Sequence, residues 1–106
     1  MVAIPAEVRV FLRNVGKKFA PQKIYLFGSR ARGNAAEESD WDFIIVSKKF
    51  EGMDGYHRAV EVHQLSQGTF AFDVLCLTPS EFKTKKSEPS LIRQILNDGS
   101  VRELPM

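Results

Sequence analysis

Lys23-Ile-Tyr-Leu-Phe-Gly-Ser-Arg-Ala-Arg-Gly33 and, six residues on, Ser39-Asp-Trp-Asp-Phe-Ile-Ile-Val46 are the two runs that decide how this chain folds. Lys23 to Phe27 follow Pro21, are rich in aromatic and branched side chains, and stop at Gly28, which predicts a short buried strand. Ser29 can cap a short helix over Arg30 to Arg32, and Gly33-Asn34 can end it by permitting positive φ. Trp41 to Val46 predicts a second strand. Side chains two positions apart on a strand share a face, so Asp40 and Asp42 project together while Trp41 and Phe43 point the other way. The carboxylate face continues with apolar Ile44 and Val46, so the acidic pair is a local exception at the start of the strand.

Outward from these runs the chain alternates. Between Pro5 and about Phe19, the residues Val8, Phe11, Leu12 and Val15 fall at helical spacing; Pro5 suits a first turn and Gly16 weakens the end. After a turn near Gly52 to Gly55, Tyr56 to Gln67 reads as a middle helix. Phe70 to Leu77 reads as a third strand, Pro79-Ser80 announces a short helix through about Lys86, and Glu88 to Leu96 forms a last helix ended by Asn97-Asp98-Gly99. The expectation is an α/β or α+β fold with helices flanking a small mixed three-stranded sheet. The second and third strands are far enough apart in sequence for a parallel crossover, and the first and second close enough for an antiparallel pair.

At 106 residues with no repeat or linker, residues 1–106 are expected to form a single domain. With 43% apolar and 26% charged residues and no long uncharged run, no membrane association is expected. The N-terminus reaches charged residues too early for a secretory signal, so the expected location is cytoplasmic. Cys76, the only cysteine, sits among apolar neighbours and reads as a structural thiol. A net charge of +2 is too small to imply direct nucleic-acid binding, and Lys83-Thr-Lys-Lys86 reads as a solvated helix face. His57 and His63 are six apart, which puts them on different sides of a helix and argues against a shared metal.

Asp73 interrupts an apolar strand on the face it shares with Leu75 and Leu77, where a buried carboxylate would need a cation beside it. If the second and third strands are parallel neighbours, Asp40, Asp42 and Asp73 lie at one end of the sheet. Three oxygen ligands suit Mg²⁺, which keeps several waters and is completed by substrate phosphates. If the first strand runs antiparallel to the second, Gly28-Ser29 faces the same cleft. Backbone amides there can hold phosphate oxygens, glycine permits close approach, and the Ser29 hydroxyl adds a donor.

Joined in this order, Leu26-Phe-Gly-Ser-Arg-Ala-Arg-Gly33, Ser39-Asp-Trp-Asp-Phe-Ile-Ile-Val46 and Phe72-Asp-Val-Leu75 resemble the nucleotidyltransferase superfamily that includes DNA polymerase β and kanamycin nucleotidyltransferase. The resemblance spans Ile24 to Leu77. The Gly-Ser-Arg-Ala-Arg-Gly wording and short length are similar to the minimal nucleotidyltransferases, often the antitoxin partners of small helical HEPN ribonuclease toxins. The resemblance implies that Asp40 and Asp42 coordinate two Mg²⁺ ions, and that Asp73 binds the catalytic ion or helps deprotonate the attacking hydroxyl. It implies that Gly28 and Ser29 hold the terminal phosphates of ATP. Arg32, and with less weight Arg30, are candidates to pair with phosphate.

The function that follows is Mg²⁺-dependent transfer of a nucleoside monophosphate, AMP from ATP, to a hydroxyl of a partner protein, with a HEPN-type toxin as that partner. The alternative is an antitoxin or binding module that neutralises its partner by complex formation alone. A nucleic-acid end-modifying enzyme is a third reading, opposed by the near-balanced charge. Homo- or hetero-oligomerisation is expected, because a small sheet leaves edges that a short chain covers poorly.

Overall fold

The second predicted strand carries large apolar side chains on both faces over most of its length, so it must lie in the middle of a sheet with a packed layer on each side. The computed structural model, which describes residues 3–33 and 39–105, has this arrangement. In chain order the elements are α1 (Ala6–Phe19), β1 (Lys23–Phe27), α2 (Gly28–Arg32), β2 (Trp41–Val46), a 3₁₀ turn (Lys48–Phe50), α3 (Gly55–Gln64), β3 (Phe72–Leu77), α4 (Pro79–Ser87), α5 (Leu91–Asn97) and β4 (Arg102–Glu103).

The sheet order is β3-β2-β1-β4. β1 is antiparallel to β2 and β2 parallel to β3, as the connection lengths predict. The sheet has a fourth strand that the expected three-stranded sheet lacked. β4 is only two residues long, pairs with Tyr25 and Leu26, and has neither strand length nor alternation to announce it. It is held by its setting: the Leu104 amide donates to the Ile24 carbonyl at 2.8 Å, and the Leu104 side chain is buried.

The period of two separates two cores. On one face Ile24, Leu26, Trp41, Phe43, Ile45 and Phe72 pack under α1, which contributes Val8, Phe11, Val15 and Phe19. Phe43 sits 5.6 Å from the Phe11 ring and 6.0 Å from Phe72. On the other face Ile44, Val46 and Leu77 meet Phe82 of α4 and Ile92 of α5. This second layer covers only the end of the sheet where β2 and β3 finish. The opposite end of that face carries Asp42 and Asp73, with Phe27 beside Asp42.

Three local expectations shift. Ser29 does not cap α2: the helix begins at Gly28 with Phe27 in the N-cap position, and no side chain caps it. Gly33 does end α2 with positive φ, while its proposed partner in that role, Asn34, lies outside the described residues. The middle helix stops at Gln64 and β3 starts at Phe72, because Ser66 organises the turn between them. Its hydroxyl donates to the His63 carbonyl and accepts from the Gly68 amide, and its carbonyl accepts from Thr69.

β3 is an edge strand, and a residue not singled out by the sequence closes part of that edge. Arg58 of α3 is buried; it donates to the Met53 and Cys76 carbonyls and forms a paired contact with Glu81 of α4 at 2.6 and 3.2 Å. α3 and α4 cover opposite faces, so Arg58 ties the two layers together around the sheet edge. Glu81 also completes the capping box of α4 with Thr78.

Candidate functional site

β2 starts where β1 ends, because the two strands are antiparallel. Phe27, the last residue of β1, pairs with Asp42, and Asp42 pairs with Asp73 on the parallel neighbour. Paired residues on adjacent strands share a face about 5 Å apart, so the two carboxylates stand side by side. Asp40 lies two residues before Asp42, on the same approach. The sheet end therefore gathers acids from two strands, with Phe27 flanking Asp42 on the other side.

Gly28 follows directly. Its φ is +74°, a region that disfavours any side chain, and a Cβ added there would collide with Asp42 Oδ2. Two independent constraints thus require glycine at this position, and together they press the Gly28-Ser29 turn against the Asp42 carboxylate. The turn and the acids meet at one sheet end.

The electrostatics are those of crowded like charges. Asp42 is held above the ordinary carboxylate range, first by burial, then by the charges of Asp73 and Asp40, with Arg32 opposing. Arg32 is exposed and acts on Asp42 at a distance; Arg30 has a different role. Its guanidinium donates twice to the Ser39 carbonyl, at 3.1 and 2.8 Å, and lies 4.7 Å from the Trp41 ring. It clamps the segment that delivers Asp40 to the sheet. No spacing rule points to Arg30, since the contact joins α2 to a residue nine positions away.

Asp73 corrects one expectation. It is exposed, not buried, because the α4–α5 layer stops short of this end; no cation among the described residues is needed to stabilise it there. Cys76 behaves as the sequence implies: burial raises its thiol to about 12, which keeps it protonated at neutral pH. His57 and His63 are exposed and separate; His57 touches Asp54, and His63 stacks on Phe72. Trp41 is in the core.

Among the described residues, no three acidic, imidazole or thiol side chains close into a cage that would hold a metal ion unaided. The donor chemistry still fits a hard cation of the Mg²⁺ type, which uses one or two carboxylates and fills its remaining positions with water and phosphate oxygens. Burial and then the charges of Asp73 and Asp40 raise Asp42, and a divalent charge beside it would oppose that shift.

Fold and site define a class: a small α/β domain with acids from two parallel strands set against a glycine turn from a third. The nucleotidyltransferase domain family matches this chain over residues 8–103, and the chain belongs to that family. No curated protein matches it closely enough to count as a relative. Among solved structures, a candidate nucleotidyltransferase from Sulfolobus solfataricus is similar at 26% identity and TM-score 0.56, over 74% of this chain and 75% of that one. A toxin-antitoxin complex with AMP-PNP shares the fold at 16% identity and TM-score 0.58, over 93% of this chain and 72% of that chain. BolA1 from Arabidopsis thaliana is similar at 26% identity and TM-score 0.59, over 74% of this chain and 98% of that chain. The framework is thus shared with a protein of another name, and any activity must be argued from the site. No helix among the described residues is long and apolar enough to cross a membrane.

Proposed function

We propose that the domain transfers a nucleoside monophosphate, AMP from ATP, to a hydroxyl of a partner protein, as the antitoxin of a pair whose toxin is of the HEPN type. The observation that carries this reading is the register that sets Asp42 beside Asp73 and against the Gly28 turn. The choice of adenine and of a toxin as partner rests on the resemblance of the motifs and on the fold shared with a toxin-antitoxin complex holding AMP-PNP.

In this reading the amides of the Gly28-Ser29 turn and the Ser29 hydroxyl donate to the terminal phosphates, and Arg32 adds positive charge at the cleft. Asp40, Asp42 and Asp73 would hold Mg²⁺, two ions in the full site, which would supply charge neutralisation at the phosphates. Asp73, which is exposed to solvent, accepts the proton of the attacking hydroxyl. The hydroxyl oxygen bonds to the α-phosphorus, the bond from that phosphorus to the bridging oxygen breaks, and pyrophosphate leaves with the electron pair. The protein's main contribution is position and electrostatics.

The test is intact-mass measurement of the adjacent gene's product after co-expression with this domain. A nucleotide-sized gain that requires Mg²⁺ and disappears in Asp40→Asn is the expected result. An unmodified partner with the wild-type domain contradicts transfer. Binding without transfer is a second reading, in which the domain neutralises its partner by complex formation alone. It predicts that Asp40→Asn and Asp73→Asn neutralise the partner as well as wild type.

A further inference from the structure

Away from the acidic sheet end, α1 and the C-terminal segment leave a groove of about 550 Å³ between them. Its floor is apolar, formed by Ile4, Leu12, Ile24, Leu104 and Pro105. Its wall is a row of cations on α1, Arg9, Arg13 and Lys17, spaced one helical turn apart. All three are exposed, and none forms a salt bridge among the described residues. Of the acids on the flanking elements, Glu7 lines a different cleft beside Asn14 and Leu65, and Glu103 pairs with Lys23.

A helix interior commonly neutralises such a row with acids four residues away. In α1 the positions four before Arg13 and Lys17 are themselves basic, so the row is left uncompensated by its own helix. Three cations over two turns span about 12 Å, beside an apolar floor of matching direction. We infer that this groove docks an acidic amphipathic helix of a partner protein, with apolar side chains on Ile4, Leu12 and Pro105 and carboxylates spaced at i, i+4 and i+8 against Arg9, Arg13 and Lys17. Single-stranded nucleic acid fits the cations but not the floor, which offers aliphatic side chains and no aromatic ring on which bases could stack. The inference is independent of transfer chemistry at the acidic sheet end.

The test uses a fluorescein-labelled helical peptide with a leucine face bordered by glutamates at i, i+4 and i+8, its lysine-for-glutamate counterpart, and a uridine oligomer. The glutamate peptide is expected to bind the wild-type domain, and the triple variant Arg9→Glu, Arg13→Glu, Lys17→Glu to bind it at least tenfold more weakly. That same variant is expected to gain affinity for the lysine peptide. All three positions are exposed, so an unchanged thermal melt verifies the fold. Asp40→Asn should bind the glutamate peptide as wild type does, which separates this outcome from failure of the catalytic reading. Absence of peptide binding, binding indifferent to the charge reversal, or preference for the oligonucleotide would each overturn the inference.

Discussion

Gly28 is the residue on which the site geometry turns, because its positive φ and its contact with Asp42 act together. Gly28→Ala is expected to cost about 1–3 kcal/mol in urea unfolding, from backbone strain and a displaced carboxylate. ATP affinity should fall further than stability does, since Asp42 can move aside only by leaving the site. Asp42 itself predicts the opposite balance. Its folded pKa is raised above the unfolded value of 3.8, so the native state holds its proton more tightly and stability falls as pH rises between the two values. Below 3.8 the penalty is absent, and above the raised value it is fully present. Without divalent cations, Asp42→Asn should therefore be at least as stable as wild type at neutral pH, the difference closing on acidification. Thermal melts across pH 3 to 8 check this; a wild type more stable than Asp42→Asn at neutral pH would contradict it.

At the scale of elements, the apolar run in Trp41 to Val46 broken only by Asp42, the interrupted apolar run at Asp73 and the lengths of the connections were enough to set strand identity, direction and the gathering of the acids. β4 was not legible, because two residues carry no periodicity and its place depends on Leu104 reaching Ile24. Arg58 was equally silent: its partners lie 5, 18 and 23 positions away, at a distance no local pattern encodes. Arg58→Met should destabilise the domain by about 2 kcal/mol, since it leaves Glu81 without its main partner at a sheet edge. The Arg58 hydrogen bond is the chief cause that holds Glu81 below its ordinary value. That contribution is present above about pH 4.5 and is lost as pH falls through the lowered value, so Glu81→Gln should flatten the acid side of the stability profile. α1 offers a gain instead. Its C-cap, Ala20, holds φ +43°, and Ala20→Gly should raise stability by about 1 kcal/mol in the same denaturation assay.

For the whole molecule, the two helical layers are unequal, and that inequality makes the site. α1 packs along its face of the sheet, while α4 and α5 meet the other face where β2 and β3 finish, leaving Asp73 exposed and Asp42 half-buried beside the Gly28 turn. The sequence foretold which acids would converge but not that Asp73 would be exposed, because coverage depends on where α4 and α5 pack rather than on the strand's own pattern. The central claim is that this open end takes up a metal-bound triphosphate, and calorimetric titration of ATP in Mg²⁺ and in EDTA tests it most directly. Binding that needs Mg²⁺ and weakens at least tenfold in Asp40→Asn and Asp73→Asn is the predicted result. Binding of equal strength in EDTA, or unchanged in both variants, would contradict it.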